Sequence, residues 1–299
     1  MTDIEFRRDI EFVYGEPREI APGISRLVAN NPGPFTYKGT NTYLIGTETL
    51  AVVDPGPDDE AHCAAILKAA AGRPVSHIVL THTHHDHYDG LARLAEKTGA
   101  VVAGYGHETP AGRRSPVDGT EVTATSFRPD IVLRDGDRLG GDGWSMTAIF
   151  TPGHAPDHLC LALEGTSITL SGDHVMAWNT SVVAPPDGSM ADYLASLERM
   201  IGRGDTLYLP GHGGRLENPE RMVRAYLVHR RMREDAILSA IRDGDATIND
   251  VVRTVYRDID EKLVRAASLS VQAHVEHLIE RHLVTCDGPL SFDCPLAPA

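Results

Sequence analysis

From about residue 23 to residue 213, short apolar runs that are β-branched or alternate with polar positions are separated by Gly, Pro and Asp. That period-two texture predicts strands at Ile24 to Val28, Thr42 to Ile45, Leu50 to Val53, Ile78 to Leu80, Ala100 to Ala103, Ser145 to Phe150, Leu159 to Leu163, Ile168 to Leu170 and Leu207 to Leu209. Helical periodicity appears at Asp58 to Ala71 and Met190 to Ile201, ending near Gly72 and Gly202, where glycine can close a helix. The helices interrupt the strands without alternating strictly. An α/β sandwich with helices outside two sheets therefore fits better than a doubly wound sheet.

After Gly213 the texture becomes helical, first over about Pro219 to Ile241, then past a polar break at Asp243-Gly244-Asp245. Thr247 is placed to cap a helix over Ile248 to Tyr256, with Asp250 at the capping-box position. Val271, Val275, Leu278 and Ile279 give the following helix one apolar face, and Leu283 to Phe292 reads as a hairpin. Three helices and a hairpin are the order of a winged helix. The chain divides into residues 1–215, which hold the chemistry, and a helical linker plus winged-helix-like unit over 216–299.

Composition narrows the class. The 299 residues carry 28 Lys and Arg against 42 Asp and Glu, a formal net charge of −14. A surface that tracks nucleic acid or anionic lipid is disfavoured, although one positive site is compatible with it. Arg7 and Arg8 precede no apolar run, and no segment reaches the ~18 apolar residues of a membrane span, so a soluble cytoplasmic protein is expected. Four cysteines without a CxxC pair are expected to be reduced thiols, with Cys286 and Cys294 the only pair placed to bridge.

The chemistry concentrates where the Ile78 to Leu80 run ends and His82-Thr83-His84-His85-Asp86-His87 begins. Alternation puts His82 and His84 on one side, while the following turn can swing Asp86 and His87 to a neighbouring point. Two adjacent cation sites follow, and imidazole with carboxylate suits Zn²⁺, Fe²⁺ or Mn²⁺. Three later strand ends add Thr151-Pro152-Gly153-His154, Ser171-Gly172-Asp173-His174 and Leu209-Pro210-Gly211-His212. Their glycines permit the sharp turns and close approach that a site built from several strand ends requires. His85, inside the cluster, is expected to face away from the metals or to hydrogen-bond locally and not to serve as a ligand.

This order of residues resembles the metallo-β-lactamase superfamily. The resemblance implies a four-layer αββα sandwich, one metal on His82, His84 and His154, a second on Asp86, His87 and His212, and Asp173 bridging both. Asp54, in Val53-Asp54-Pro55-Gly56, resembles the family's early aspartate, which supports the site from behind. Asn31 to Thr36, Gly39 to Leu44 and His229-Arg230-x-x-Arg233-Glu234 resemble the superfamily's winged-helix branch, which includes a mitochondrial endoribonuclease acting on single-stranded RNA and bacterial hydrolases.

The implied activity is hydrolysis by a metal-bridging hydroxide, with two divalent ions, Zn²⁺ first and Mn²⁺ or Fe²⁺ as alternatives, and Asp86 orienting the nucleophile. Two cations against Asp86, Asp173 and hydroxide leave about +1, which would draw an anionic phosphodiester or carboxylate. The substrate classes are single-stranded RNA and a small ester, thioester, lactone or β-lactam. Lys38, Asn41, Tyr88 and Trp178 are candidate substrate contacts, and His158 is a candidate acid for the leaving group. Two other classes compete: a mononuclear iron sulfur dioxygenase-type oxidoreductase, and a winged-helix nucleic-acid-binding regulator. Neither a membrane nor duplex DNA is expected as a partner, because residues from Gly244 onward hold five basic and nine acidic side chains; a homo-oligomer stays open.

Overall fold

The computed structural model describes residues 4–108, 113–114, 121–122, 126–257 and 259–299. A seven-stranded sheet runs in the order Arg18–Ala21, Ile24–Val28, Asn41–Ile45, Leu50–Val53, Val75–Val79, Val101–Gly104, Ile131–Val132. Its first four strands are antiparallel neighbours, and its last three pairings are parallel. A six-stranded sheet follows: Arg138–Gly141, Trp144–Phe150, Leu159–Leu163, Ile168–Gly172, Leu207–Pro210, Leu216–Glu217.

Alternation along the strands builds the layers. Ala51 and Val53 point into the core between the sheets, where they join Val79, Met146, Leu161, Leu170 and Leu209. Leu50 and Val52 point the other way, against helices α1 (Glu60–Ala70) and α3 (Leu91–Thr98), through Cys63, Ile66 and Leu94. The outer face of the second sheet, with Ile149, Cys160 and Tyr208, packs on α4 (Met190–Arg199) and on the first half of α5 (Pro219–Arg242). The result is helix, sheet, sheet, helix, as the sequence implied. Between α1 and α3 lies one short turn of helix, α2 (His85–Tyr88). The strand and glycine pattern does not anticipate α3, which is only eight residues long; its one terminal signal is Gly99, left-handed at the C-cap.

Helix α5 belongs to two cores. Val223, Tyr226 and Leu227 pack against α4, whereas Ile237, Ala240 and Ile241 pack with α6 (Ile248–Val255) and α7 (Val264–Glu280). Thr247 caps α6 by accepting from the Asp250 N–H, as its spacing predicts. The expected hairpin is longer than Leu283 to Phe292: Val284–Cys286 pairs with Leu296–Pro298. A Cys286–Cys294 disulfide closes it, correcting the expectation of four reduced thiols; Cys63 and Cys160 are free and buried. The antiparallel pairing brings Leu296 opposite Cys286 and so folds Cys294 back beside it. Among the described residues no helix is long and apolar enough to cross a membrane.

Candidate metal centre

Five chain segments deliver their polar residues to one end of the sandwich, each just beyond a strand: Asp54 after Val53, His82 to His87 after Val79, His154 after Phe150, Asp173 after Gly172, and His212 after Pro210. Three overlapping groups converge, each with ligand atoms within 4.8 Å of one another: His82, His84 and His154; His82, His87 and Asp173; Asp86, His87 and His212. Asp173 lies between the outer two groups, with Oδ2 3.6 Å from His154 Nε2 and 3.3 Å from His212 Nε2. Its Oδ1 is 3.6 Å from His87 Nε2.

Four histidines are aimed from behind. His82 Nδ1 meets Thr81 Oγ1 at 3.0 Å, a hydroxyl that already donates to Asp54. His87 Nδ1 donates to Asp54 Oδ2 at 2.9 Å, His154 Nδ1 to the Val182 carbonyl at 2.6 Å, and His212 Nδ1 to the Gly39 carbonyl at 3.2 Å. With the rear nitrogen engaged, Nε2 is the atom that each ring turns to the centre. Asp54 itself is buried, accepts from both the N–H and the hydroxyl of Thr81, and adopts a left-handed φ of 52°.

Two glycines make the approach possible. A Cβ at Gly211 would meet Asp173 Oδ1 at 2.4 Å and His87 Cε1 at 2.6 Å. At Gly39, whose carbonyl holds His212, φ is 132° and a Cβ would lie 1.9 Å from the Ala29 carbonyl oxygen.

Electrostatics divide the histidines. Burial, reinforced by neighbouring imidazoles, holds His82 well below its ordinary range, and burial with the nearby His84 brings His154 to about 4. Burial also lowers His84. Burial would lower His87 too, but Asp86, Asp173 and Asp54 overcome it and raise it to about 9. His212 rises for the same reason through Asp173 and Asp86. Burial opposes the charge on Asp86 and Asp173, yet the surrounding histidines hold both below the usual carboxylate range.

The donor set fits a cation. His154 Nε2 and Asp173 Oδ1 are buried and lack a hydrogen-bond partner, and the Nε2 of His82 faces His84 Nδ1 at 3.1 Å. Buried polar atoms are otherwise paired, so convergent lone pairs of this kind call for a positive centre.

Other expected residues lie elsewhere. The His85 side chain is 94% exposed and bonds Asp89, away from the centre as expected. His158 cannot serve as the leaving-group acid: Nδ1 bonds Thr151, Nε2 accepts the Asp173 N–H, and burial holds the ring well below its ordinary range. Asn41 is buried and its amide donates to the Pro210 and Gly213 carbonyls at 2.9 Å, so it ties loops together instead of offering that amide to a substrate. Tyr88 packs edge-on against Phe127 under the first sheet. Trp178 is 8% exposed and lies under Tyr37, whose ring stacks on it at 4.8 Å. Lys38 reaches over that same Tyr37 ring at 5.2 Å. Sequence reasoning misses Thr40, which donates to Asp86 Oδ2 at 3.1 Å, and the carbonyls of Val182 and Gly39. A carbonyl has no sequence signature, although Gly39 stands out by its place in the Gly-rich loop.

The Metallo-beta-lactamase superfamily model matches residues 36–212, and the chain belongs to that superfamily. The particular form is the two-domain one. Residues 247–288 match the Beta-lactamase associated winged helix domain. A "Beta-lactamase-like protein 2 homolog" from Drosophila melanogaster is 31% identical over 273 residues, covering 87% of this chain and 88% of that protein. An "Atrochrysone carboxyl ACP thioesterase" from Claviceps purpurea is 29% identical, with 84% of this chain and 78% of the relative covered. A solved metallo-beta-lactamase family protein from Thermus thermophilus superposes with a TM-score of 0.75 at 26% identity, covering 94% of this chain and all of the other (100%).

Proposed function

We propose that the protein is a dinuclear metal-dependent hydrolase acting on a carboxylic thioester or ester. His82, His84 and His154 would hold one cation and Asp86, His87 and His212 the other, with Asp173 between them. The observation that carries this reading is the pair of orphaned buried atoms, His154 Nε2 and Asp173 Oδ1, one in the first of the three converging groups and one in the second. Two divalent ions, Zn²⁺ by donor type, supply Lewis acidity and lower the pKa of water at the site.

The chain's own residues do the rest. Asp86 keeps a 28% exposed carboxylate, held by Thr40, and is the group placed to orient an attacking water and take its proton. Asp54, Thr81 and the Val182 and Gly39 carbonyls engage the Nδ1 of His87, His82, His154 and His212 and so fix the direction in which each Nε2 points. Acyl substrates are favoured over RNA by the thioesterase name of the Claviceps relative and by the net charge of −14, which opposes a polyanion beyond the immediate centre.

Elemental analysis of chelator-free protein, followed by assay of that preparation on thioester, ester, lactone, β-lactam and single-stranded RNA panels, tests the proposal. Two metals per chain and chelator-sensitive acyl hydrolysis are expected. Cleavage of RNA alone would keep the hydrolase and overturn the acyl reading. A ratio fixed near one, with iron, would favour the oxidoreductase class instead.

A further inference from the structure

The His229-Arg230-x-x-Arg233-Glu234 segment of α5 has no part in the hydrolytic centre as described, yet it holds one of the most costly side chains in the molecule. Arg230 is 4% exposed and forms no ion pair among the described residues. A buried guanidinium without a carboxylate is expensive unless its hydrogen bonds do something specific. Here it lies over the Tyr193 ring at 5.5 Å and donates through Nη2 to the Ser181 carbonyl. The next carbonyl along the chain, that of Val182, is the one that accepts the His154 Nδ1–H at 2.6 Å.

The rest of that loop is fastened from the same helix. Tyr226, one turn before Arg230, places its hydroxyl between the carbonyls of Met176, at 2.8 Å, and Asn179. Ser181 Oγ and Tyr193 both donate to the His174 carbonyl, at 2.8 and 2.7 Å, which braces the loop against α4. One turn after Arg230, the opposite end of the segment is gripped by the winged helix: Glu234 accepts from His277 at 2.6 Å and from Arg281, and Arg233 lies 4.3 Å over Tyr256.

We propose that Arg230 is a positioning residue for His154: by holding the Ser181 carbonyl it sets the Val182 carbonyl, which fixes the proton of His154 on Nδ1 and points Nε2 at the cation. Helix α5, clamped by the winged helix, thereby orients a ligand that it does not touch. This rests on His154 being a metal ligand.

The test uses full-length Arg230→Met, Arg230→Lys and Tyr226→Phe. Histidine ¹⁵N NMR of the chelator-treated protein reads the His154 tautomer, and Zn²⁺ competition with a chromophoric chelator reads affinity. The wild type should show the Nδ1–H form. Arg230→Met should mix tautomers and weaken one Zn²⁺ site by roughly 10-fold or more, the scale on which ligand-orienting partners act. Arg230→Lys, which keeps the donor and the charge, should recover part of the loss. Tyr226→Phe, which keeps the ring packing, should show a smaller effect in the same direction and decides the matter if Arg230→Met does not fold. A lower melting temperature with an unchanged His154 tautomer and unchanged affinity would overturn the proposal. His154→Ala separates the two ideas: if it leaves Zn²⁺ affinity intact, the metal-centre reading fails, and if it abolishes one site while the Arg230 and Tyr226 variants do nothing, only the positioning role fails.

Discussion

His87 Nδ1 lies 2.9 Å from Asp54 Oδ2, a bond that joins the polar ends of two neighbouring parallel strands, Leu50–Val53 and Val75–Val79. Asp54 reaches this position from a left-handed backbone, and its two oxygens also hold the Thr81 N–H and hydroxyl. One buried carboxylate thus sets the direction of His87 directly and of His82 through Thr81. His82 and His87 are braced from strand ends, whereas His154 and His212 lean on the loop carbonyls of Val182 and Gly39.

Asp86→Asn keeps the shape of the side chain and removes the charge that would orient and deprotonate water. Turnover should fall roughly 10²-fold or more, with little change in melting temperature. Parallel measurement of rate and bound metal decides it; full turnover at normal metal content would take Asp86 out of the reaction.

Gly211→Ala would drive a methyl group between Asp173 Oδ1 and His87 Cε1, at 2.4 and 2.6 Å. His87 cannot retreat without stretching its bond to Asp54, nor the Asp173 carboxylate without leaving its place beside His212. Metal content should drop well below that of the wild type while circular dichroism stays native. Unchanged metal content in the alanine variant would show that the two groups have room to spare.

Glu234 gives the winged helix a pH-dependent hold. Burial would raise its pKa, but His274, 3.6 Å away, and His277, bonded at 2.6 Å, bring it down to about 2. Because the folded value lies below the ordinary carboxyl value near 4.5, the stabilisation is present above about pH 4.5 and drains away as pH falls toward 2. Glu234→Gln should therefore cost about 2 kcal/mol in urea unfolding at pH 7 and much less at pH 3. Equal losses at both pH values would contradict this.

Duplex DNA should bind weakly if at all. From Gly244 onward the chain has five basic and nine acidic residues. Helix α7, the longest in this unit, spends Val271, Val275 and Leu278 on its own core. Titration of the full-length protein with fluorescent duplex at low salt should show no tight, salt-sensitive complex.

The sequence by itself determined the layers and the gathering of histidines and carboxylates at one edge. Strand geometry sends Ala51 and Val53 to one face and Leu50 and Val52 to the other, and because all four are apolar both faces are buried, one in the core between the sheets and one under the helices. Histidines and carboxylates that each follow a strand mark a shared edge, since parallel strands end at the same side of a sheet. Chain folding alone decided the geometry that local pattern cannot encode. What Asn41 and Trp178 touch depends on residues far along the chain: Asn41 bonds Gly213, 172 positions away, and Trp178 stacks under Tyr37. The hairpin register put Cys294 beside Cys286, where spacing alone gave no reason to prefer a bond over two thiols. Backbone carbonyls such as those of Val182 and Gly39 carry no residue identity at all. They become partners of His154 and His212 only because packing places them within 2.6 and 3.2 Å of a ring nitrogen.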